Sequence, residues 1–182
     1  MIKVCVVPVG PLQTERLDDA ERFVRMVFGF PTERLSPLPD AAFAYDEHRS
    51  QYSSSLILKE LAQSLPPGVG RLVGITEYDI FIPMLKFVFG QAQLGGTTAL
   101  ISLARLRQEF YGMPPDEELM TIRLRKVVVH ELGHTFGLTH CSDARCVMIL
   151  STNLEQLDAK LDAFCESCEL ILRDRVSKYD QE

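Results

Sequence analysis

The chain has 182 residues, of which 46% are apolar and 24% charged, with a formal net charge of −6. That balance suits one packed domain or two small ones and excludes a mainly disordered chain. The apolar runs at 127–129 and 147–150 are far too short to cross a bilayer, and the acidic balance argues against general nucleic-acid binding, so neither partner is expected. Residues 2–9, apolar and β-branched up to Pro8 and Gly10, predict a strand. Leu17, Ala20, Phe23, Val24 and Val27 fall at helical spacing and predict a helix over 14–28. The prolines around 32–39 predict a loop, and 41–45 a strand. A helix is predicted over 54–65, ended by Pro66, Pro67 and Gly68, and a strand over 71–76. Phe87 and Phe89 alternate with Val88, which predicts a short edge strand at 86–90; Gly95 and Gly96 mark a turn before a strand over 97–103.

Pro114 and Pro115 precede Asp116, a natural helix cap, with Glu117 and Glu118 where the helix dipole favours them. Leu124, Val128, Leu132 and Phe136 recur every four residues as the buried stripe, and Gly137 is the expected stop. Leu154, Leu157, Leu161 and Phe164 predict one last helix, capped by Thr152 or Asn153. Strands and helices alternate over the first 105 residues, and helix, loop, helix follow. With no repeat or linker in between, the chain reads as one domain spanning 1–182.

Five cysteines and four histidines are unevenly placed. Four of the cysteines lie between Cys141 and Cys168, and three of the histidines between His130 and His140. The opening residues carry no secretory-signal pattern, which predicts a cytoplasmic, reducing location where clustered thiols bind metal more often than they pair. Cys5, in an apolar strand, reads as a small buried residue.

Residues 130–140 spell HExxHxxGxxH. Four-residue spacing puts His130 and His134 on one helix face, about 6 Å apart along the axis, so that both reach one ion. A helix running past Phe136 could not bring in a third ligand. Gly137 permits the sharp turn, and His140 returns from the loop as the third. The ion keeps an open position for water. Glu131, about 100° around the helix from His130, is placed to take a proton from that water and pass it to a leaving amine. The predicted function is zinc-dependent hydrolysis of a peptide or protein substrate. A zinc-stabilised peptide-binding module without turnover, or a zinc hydrolase of a non-peptide amide, would use the same ligands.

Cys141-x₄-Cys146, 18 residues, then Cys165-x₂-Cys168 is a four-thiolate pattern with no open position, as a structural zinc site requires. It would tie the loop after His140 to the last helix. A redox-active pair or two disulfides are the alternatives. Two zinc ions per chain, one catalytic and one structural, are therefore expected.

The extended histidine motif, followed by Cys141, Cys146, Met148, Cys165 and Cys168, resembles the archaemetzincins, a branch of the metzincin zinc peptidases. The resemblance implies an α+β fold: a twisted mixed sheet with two backing helices, an active-site helix, a Met-turn and a C-terminal helix. It divides the chain into an N-terminal part of about 1–137 and a C-terminal part of about 138–182. Met148 would be the methionine of that turn, forming an apolar base beneath the ligands. Several metzincin branches carry a tyrosine two residues later; here that position is Leu150. The resemblance also implies an aminopeptidase-like peptidase.

For substrate handling the sequence offers less. An edge strand within 86–94 would leave backbone groups free to pair with an extended peptide. Phe87, Phe89 and Leu94 line a pocket or join the core. Tyr45, His48, Arg49 and Tyr52 read as a solvated polar-aromatic patch. An aminopeptidase needs an anion for the substrate's amino terminus, for which Asp46, Glu47, Glu77 and Asp79 are available. Oligomeric state is not legible.

Overall fold

A computed structural model describes residues 2–38 and 40–179. Along the chain run β1 (Val4–Val9), α1 (Thr14–Phe28), β2 (Thr32–Arg34), β3 (Tyr45–Asp46), β4 (Gln51–Ser53), α2 (Ser54–Gln63), β5 (Arg71–Thr76), β6 (Ile80–Phe81), β7 (Gly90–Ala92), β8 (Thr98–Ser102), α3 (Glu117–Thr135), α4 (Leu154–Ala159) and α5 (Glu166–Tyr179). The main sheet has the order β2-β1-β5-β8-β7. Its strands are parallel except β7, which runs antiparallel to β8 at one edge. A small second sheet, β3-β4-β6, lies beside it. This is the α+β architecture expected.

Both faces of the main sheet are covered, which explains why β1 reads as an unbroken apolar run. Val4 and Val6 belong to the cluster shared with α1 and α3, whereas Cys5, Val7 and Val9 belong to the cluster under α2. The same alternation sends Val73 and Ile75 of β5 to one side and Leu72 to the other. The first cluster continues past α3 into Leu138, Val147, Met148, Leu157, Cys168 and Leu172. The C-terminal part is thus packed on the same core as the motif helix.

Four expectations are corrected. Thr32–Arg34, expected as loop, pairs in parallel with β1; its three residues are polar, as suits an edge, and carry no apolar pattern to read. Residues 41–45, expected as a strand, form a 3₁₀ turn over Ala42–Ala44, with the Asp40 carboxylate accepting from Ala42 N–H, before β3 begins at Tyr45. The edge strand lies at Gly90–Ala92 rather than 86–90. The alternation that suggested it is real: Phe87 and Phe89 pack with one cluster and Val88 with the other. The Lys86 carbonyl, however, is taken by the Gln51 side chain rather than a neighbouring strand. Finally, the single last helix is two. α4 stops at Ala159, Lys160 takes an extended conformation, and α5 follows after Cys165. On α5, Cys168, Leu172 and Val176 repeat every four residues and face the core.

Candidate metal centre and cleft

α3 begins as its sequence dictates. The Asp116 carboxylate accepts from the Leu119 N–H at 2.9 Å, and Arg16 of α1 pairs with Glu117. The helix ends at Thr135, and Gly137, at φ 85°, reverses the chain. That reversal brings His140 beside His130 and His134, so that one ring nitrogen from each lies within 4.8 Å of the others.

The backbone fixes the ring tautomers. His130 Nδ1–H donates to the Val147 carbonyl at 2.8 Å, and His134 Nδ1–H to the Leu138 carbonyl at 2.7 Å. With Nδ1 donating, each neutral ring presents a bare lone pair at Nε2. Those two Nε2 atoms face each other 3.0 Å apart. Two lone pairs at that distance repel unless a cation lies between them, and tetrahedral bonds of about 2.0–2.1 Å to one zinc require a nitrogen–nitrogen spacing of about 3.3 Å. The donor set fits zinc. All three imidazoles are held neutral: burial lowers each pKa, most strongly for His130, with the Lys160 ammonium adding to the effect.

Glu131 is packed against the Gly90 backbone. A Cβ on Gly90 would lie 2.7 Å from its Cγ and Oε1, so β7 approaches this closely only because residue 90 is glycine. Burial pushes Glu131 up to about 8, opposed by the nearby Lys160 ammonium. Met148 is fully buried, and its sulfur sits against Gly133, within the α3 turn that joins the two helix histidines. Its neighbours Val147 and Ile149 turn their carbonyls to the Lys160 Nζ, at 2.9 and 3.2 Å. Lys160, 3% exposed, also lies 3.4 Å from His130 Nδ1. Its burial lowers its pKa to about 8.

These groups open onto a cleft of about 430 Å³. Phe87, Val127, Leu150 and Leu157 supply its apolar wall, and β7 one side. Glu131 is the one carboxylate lining it among the described residues. Phe89 also lines it, although most of its surface is in the core; Leu94 is exposed and outside.

The second cluster is half-buried, with Cys146 and Cys168 inside and Cys141 and Cys165 toward the surface. The sulfurs of Cys141, Cys146, Cys165 and Cys168 lie within 4.8 Å of one another, and all are free thiols. Cys141 and Cys165 are 3.8 Å apart, too far for a disulfide and close to the roughly 3.8 Å edge of a tetrahedron with about 2.3 Å zinc–sulfur bonds. Backbone N–H groups of Asp143, Met148 and Cys165 point at these sulfurs at 3.3–3.4 Å, the pattern that supports thiolates. This donor set fits a closed zinc site. Cys5 is buried in β1, away from both clusters.

The four acidic residues suggested as an amino-terminus anchor do not line the cleft. Asp79 is held by Arg105 through two 2.8 Å bonds and Glu77 by Arg107, while Asp46 caps its own turn by accepting from Arg49 N–H. Glu47 and His48 border a separate shallow depression. Tyr45 and Tyr52 form an aromatic stack with Tyr78. The sequence reading missed Lys86, Lys160 and Gly90. Lys160 carried a signal, as a lysine on the apolar face that Leu157 and Leu161 mark; Gly90 carried none.

Residues 47–174 match the model of peptidase family M54. An archaemetzincin of Methanocaldococcus jannaschii is 42% identical over 96% of this chain and 95% of its own. The chain belongs to family M54, the archaemetzincins, which are zinc metallopeptidases. Crystal structures agree with the fold. An archaemetzincin of Methanopyrus kandleri superposes with a TM-score of 0.83 at 35% identity, covering 97% of this chain and 96% of that one. One of Archaeoglobus fulgidus gives 0.81 at 32%, covering 93% and 99%. No helix among the described residues is long and apolar enough to cross a membrane.

Proposed function

We propose that His130, His134 and His140 hold a catalytic zinc, that Glu131 is the proton-transfer residue of peptide-bond hydrolysis, and that Cys141, Cys146, Cys165 and Cys168 hold a second zinc with a purely structural role. The observation that carries this reading is the pair of bare Nε2 atoms 3.0 Å apart, opening onto a cleft with one carboxylate. Zinc bound there supplies Lewis acidity, polarising a carbonyl and bringing the pKa of water toward neutrality. The Val147 and Leu138 carbonyls keep both helix histidines aimed at one point. Glu131, in a largely apolar wall, accepts a proton at its carboxylate from the attacking water and returns it to the departing amine. β7, at the sheet edge, leaves backbone groups for an extended peptide to pair with. Met148 serves as the apolar base of the Met-turn.

We read residues 1–182 as one catalytic domain whose two parts, about 1–137 and 138–182, meet at Gly137, because one core runs through both. Cleavage within chains fits the cleft better than aminopeptidase action. Among the described residues lining the cleft, a terminal ammonium would find only Glu131 as its anion, and Glu131 is already assigned to the proton.

The test is hydrolysis of a diverse peptide library by zinc-loaded protein, read by mass spectrometry. Glu131→Gln should keep its zinc and lose about 10²- to 10⁴-fold in rate, the usual worth of a positioned general base. Equal cleavage by the variant would remove Glu131 from the mechanism. Peptide binding without cleavage by the wild type would favour a binding module.

A further inference from the structure

Among the described residues, the charged ones lining the cleft apart from Glu131 are Lys86 and Lys160, in a chain whose net charge is −6. Neither Lys86 nor Lys160 forms an ion pair among the described residues. Lys160 is buried and committed to the Val147 and Ile149 carbonyls. Lys86 is exposed. Its backbone, by contrast, is pinned. Gln51, itself buried, donates through Nε2 to the Lys86 carbonyl at 3.0 Å and to Asp79 at 2.9 Å. Asp79 is clamped by Arg105, whose guanidinium lies 4.3 Å over the Phe87 ring. On the other side, Arg49 donates to the Leu85 carbonyl at 2.9 Å and lies over the Phe81 ring at 4.2 Å. The fold therefore holds the residues on both sides of Lys86 in place, while the lysine itself is exposed and lines the cleft.

We propose that Lys86 is a specificity-determining residue that selects substrates carrying a carboxylate, either an acidic side chain or a free chain terminus, alongside the apolar residues that Phe87, Val127 and Leu157 accommodate. This rests on the reading of the cleft as a peptide site. A substrate carboxylate gains the Lys86 ammonium within the positive field of Lys160. A substrate ammonium meets two like charges and only the proton-transfer carboxylate in return. An exposed pair of this kind has a modest effect, about three- to fivefold in affinity at low salt, fading as salt screens it.

The experiment uses the zinc-loaded full chain carrying Glu131→Gln, so that peptides bind without being cut. Affinities are measured by fluorescence anisotropy for matched peptides with an acetylated N-terminus. One has an internal Glu and an amidated end, one Gln and a free C-terminal carboxylate, and one Gln with an amidated end. A fourth peptide keeps its N-terminal ammonium and has no carboxylate. The expected result is about three- to fivefold tighter binding of one or both carboxylate peptides than of the uncharged one, and weaker binding of the ammonium peptide. The first two arms tell a side chain from a chain terminus. Adding Lys86→Met should erase the preference, and Lys86→Glu should reverse it. Equal affinities across the set, tighter binding of the ammonium peptide, or a preference that survives Lys86→Met would overturn the proposal. Wild-type turnover separates the two readings: cleavage without carboxylate preference sinks only this inference, and carboxylate preference without cleavage sinks only the hydrolytic one.

Discussion

The histidine cluster and the cysteine cluster adjoin at His140 and Cys141, yet they are built on different physical terms. The histidines are held neutral and open to a cleft, and His130 and His134 are oriented by carbonyls behind their rings. The cysteines have sulfurs that receive N–H groups from the backbone and are grouped four around one point, which leaves no side for a substrate. An exchangeable position is useful only in the first arrangement, and folding is served best by the second. The cysteine cluster also brings together segments far apart in sequence, the loop after His140 and the start of α5.

The largest effect should therefore come from breaking the closed cluster. Cys165→Ser should remove about one zinc per chain by metal analysis. If about 5 kcal/mol of metal-coupled folding energy is lost, the melting temperature should fall by about 10–20 °C. A variant that retains two zincs and its melting temperature would show that the cysteines are not a structural site. A smaller effect is expected beside the open cluster. Lys160→Met leaves the Ile149 carbonyl without its donor and the Val147 carbonyl with His130 alone, and should cost about 1–3 kcal/mol in urea unfolding. Unchanged stability would mean that burying the ammonium costs as much as its hydrogen bonds return.

What could be read from the sequence follows the same division. The groups of the motif declared themselves because metal chemistry demands particular residue types at fixed spacing, and the structure does bring His130, His134 and His140 together, and the four cysteines likewise. Strands β1 and β5 were legible because a sheet covered on both faces needs continuous apolar residues. β2 was not, since a polar three-residue edge leaves no period. The break after Ala159 was hidden because Leu161 and Phe164 keep helical spacing, while the contact made at the break, Lys160 to the carbonyls around Met148, joins residues more than ten positions apart. The cleft wall was hidden for the same reason. Gly90 matters through its contact with Glu131, 41 positions along the chain. Of the acidic residues offered as anchors, Asp79 and Glu77 are drawn off by Arg105 and Arg107, partners that spacing does not reveal.

Diffraction from crystals of the zinc-loaded protein, with anomalous data collected at the zinc edge, tests the assignment of the two clusters most directly. We expect two peaks per chain. One should be bonded to Nε2 of His130 and His134 and a ring nitrogen of His140 at about 2.0–2.1 Å, and the other to four sulfurs at about 2.3 Å. A histidine cluster without a peak in crystals soaked with excess zinc, while the cysteine peak is present, would contradict the account.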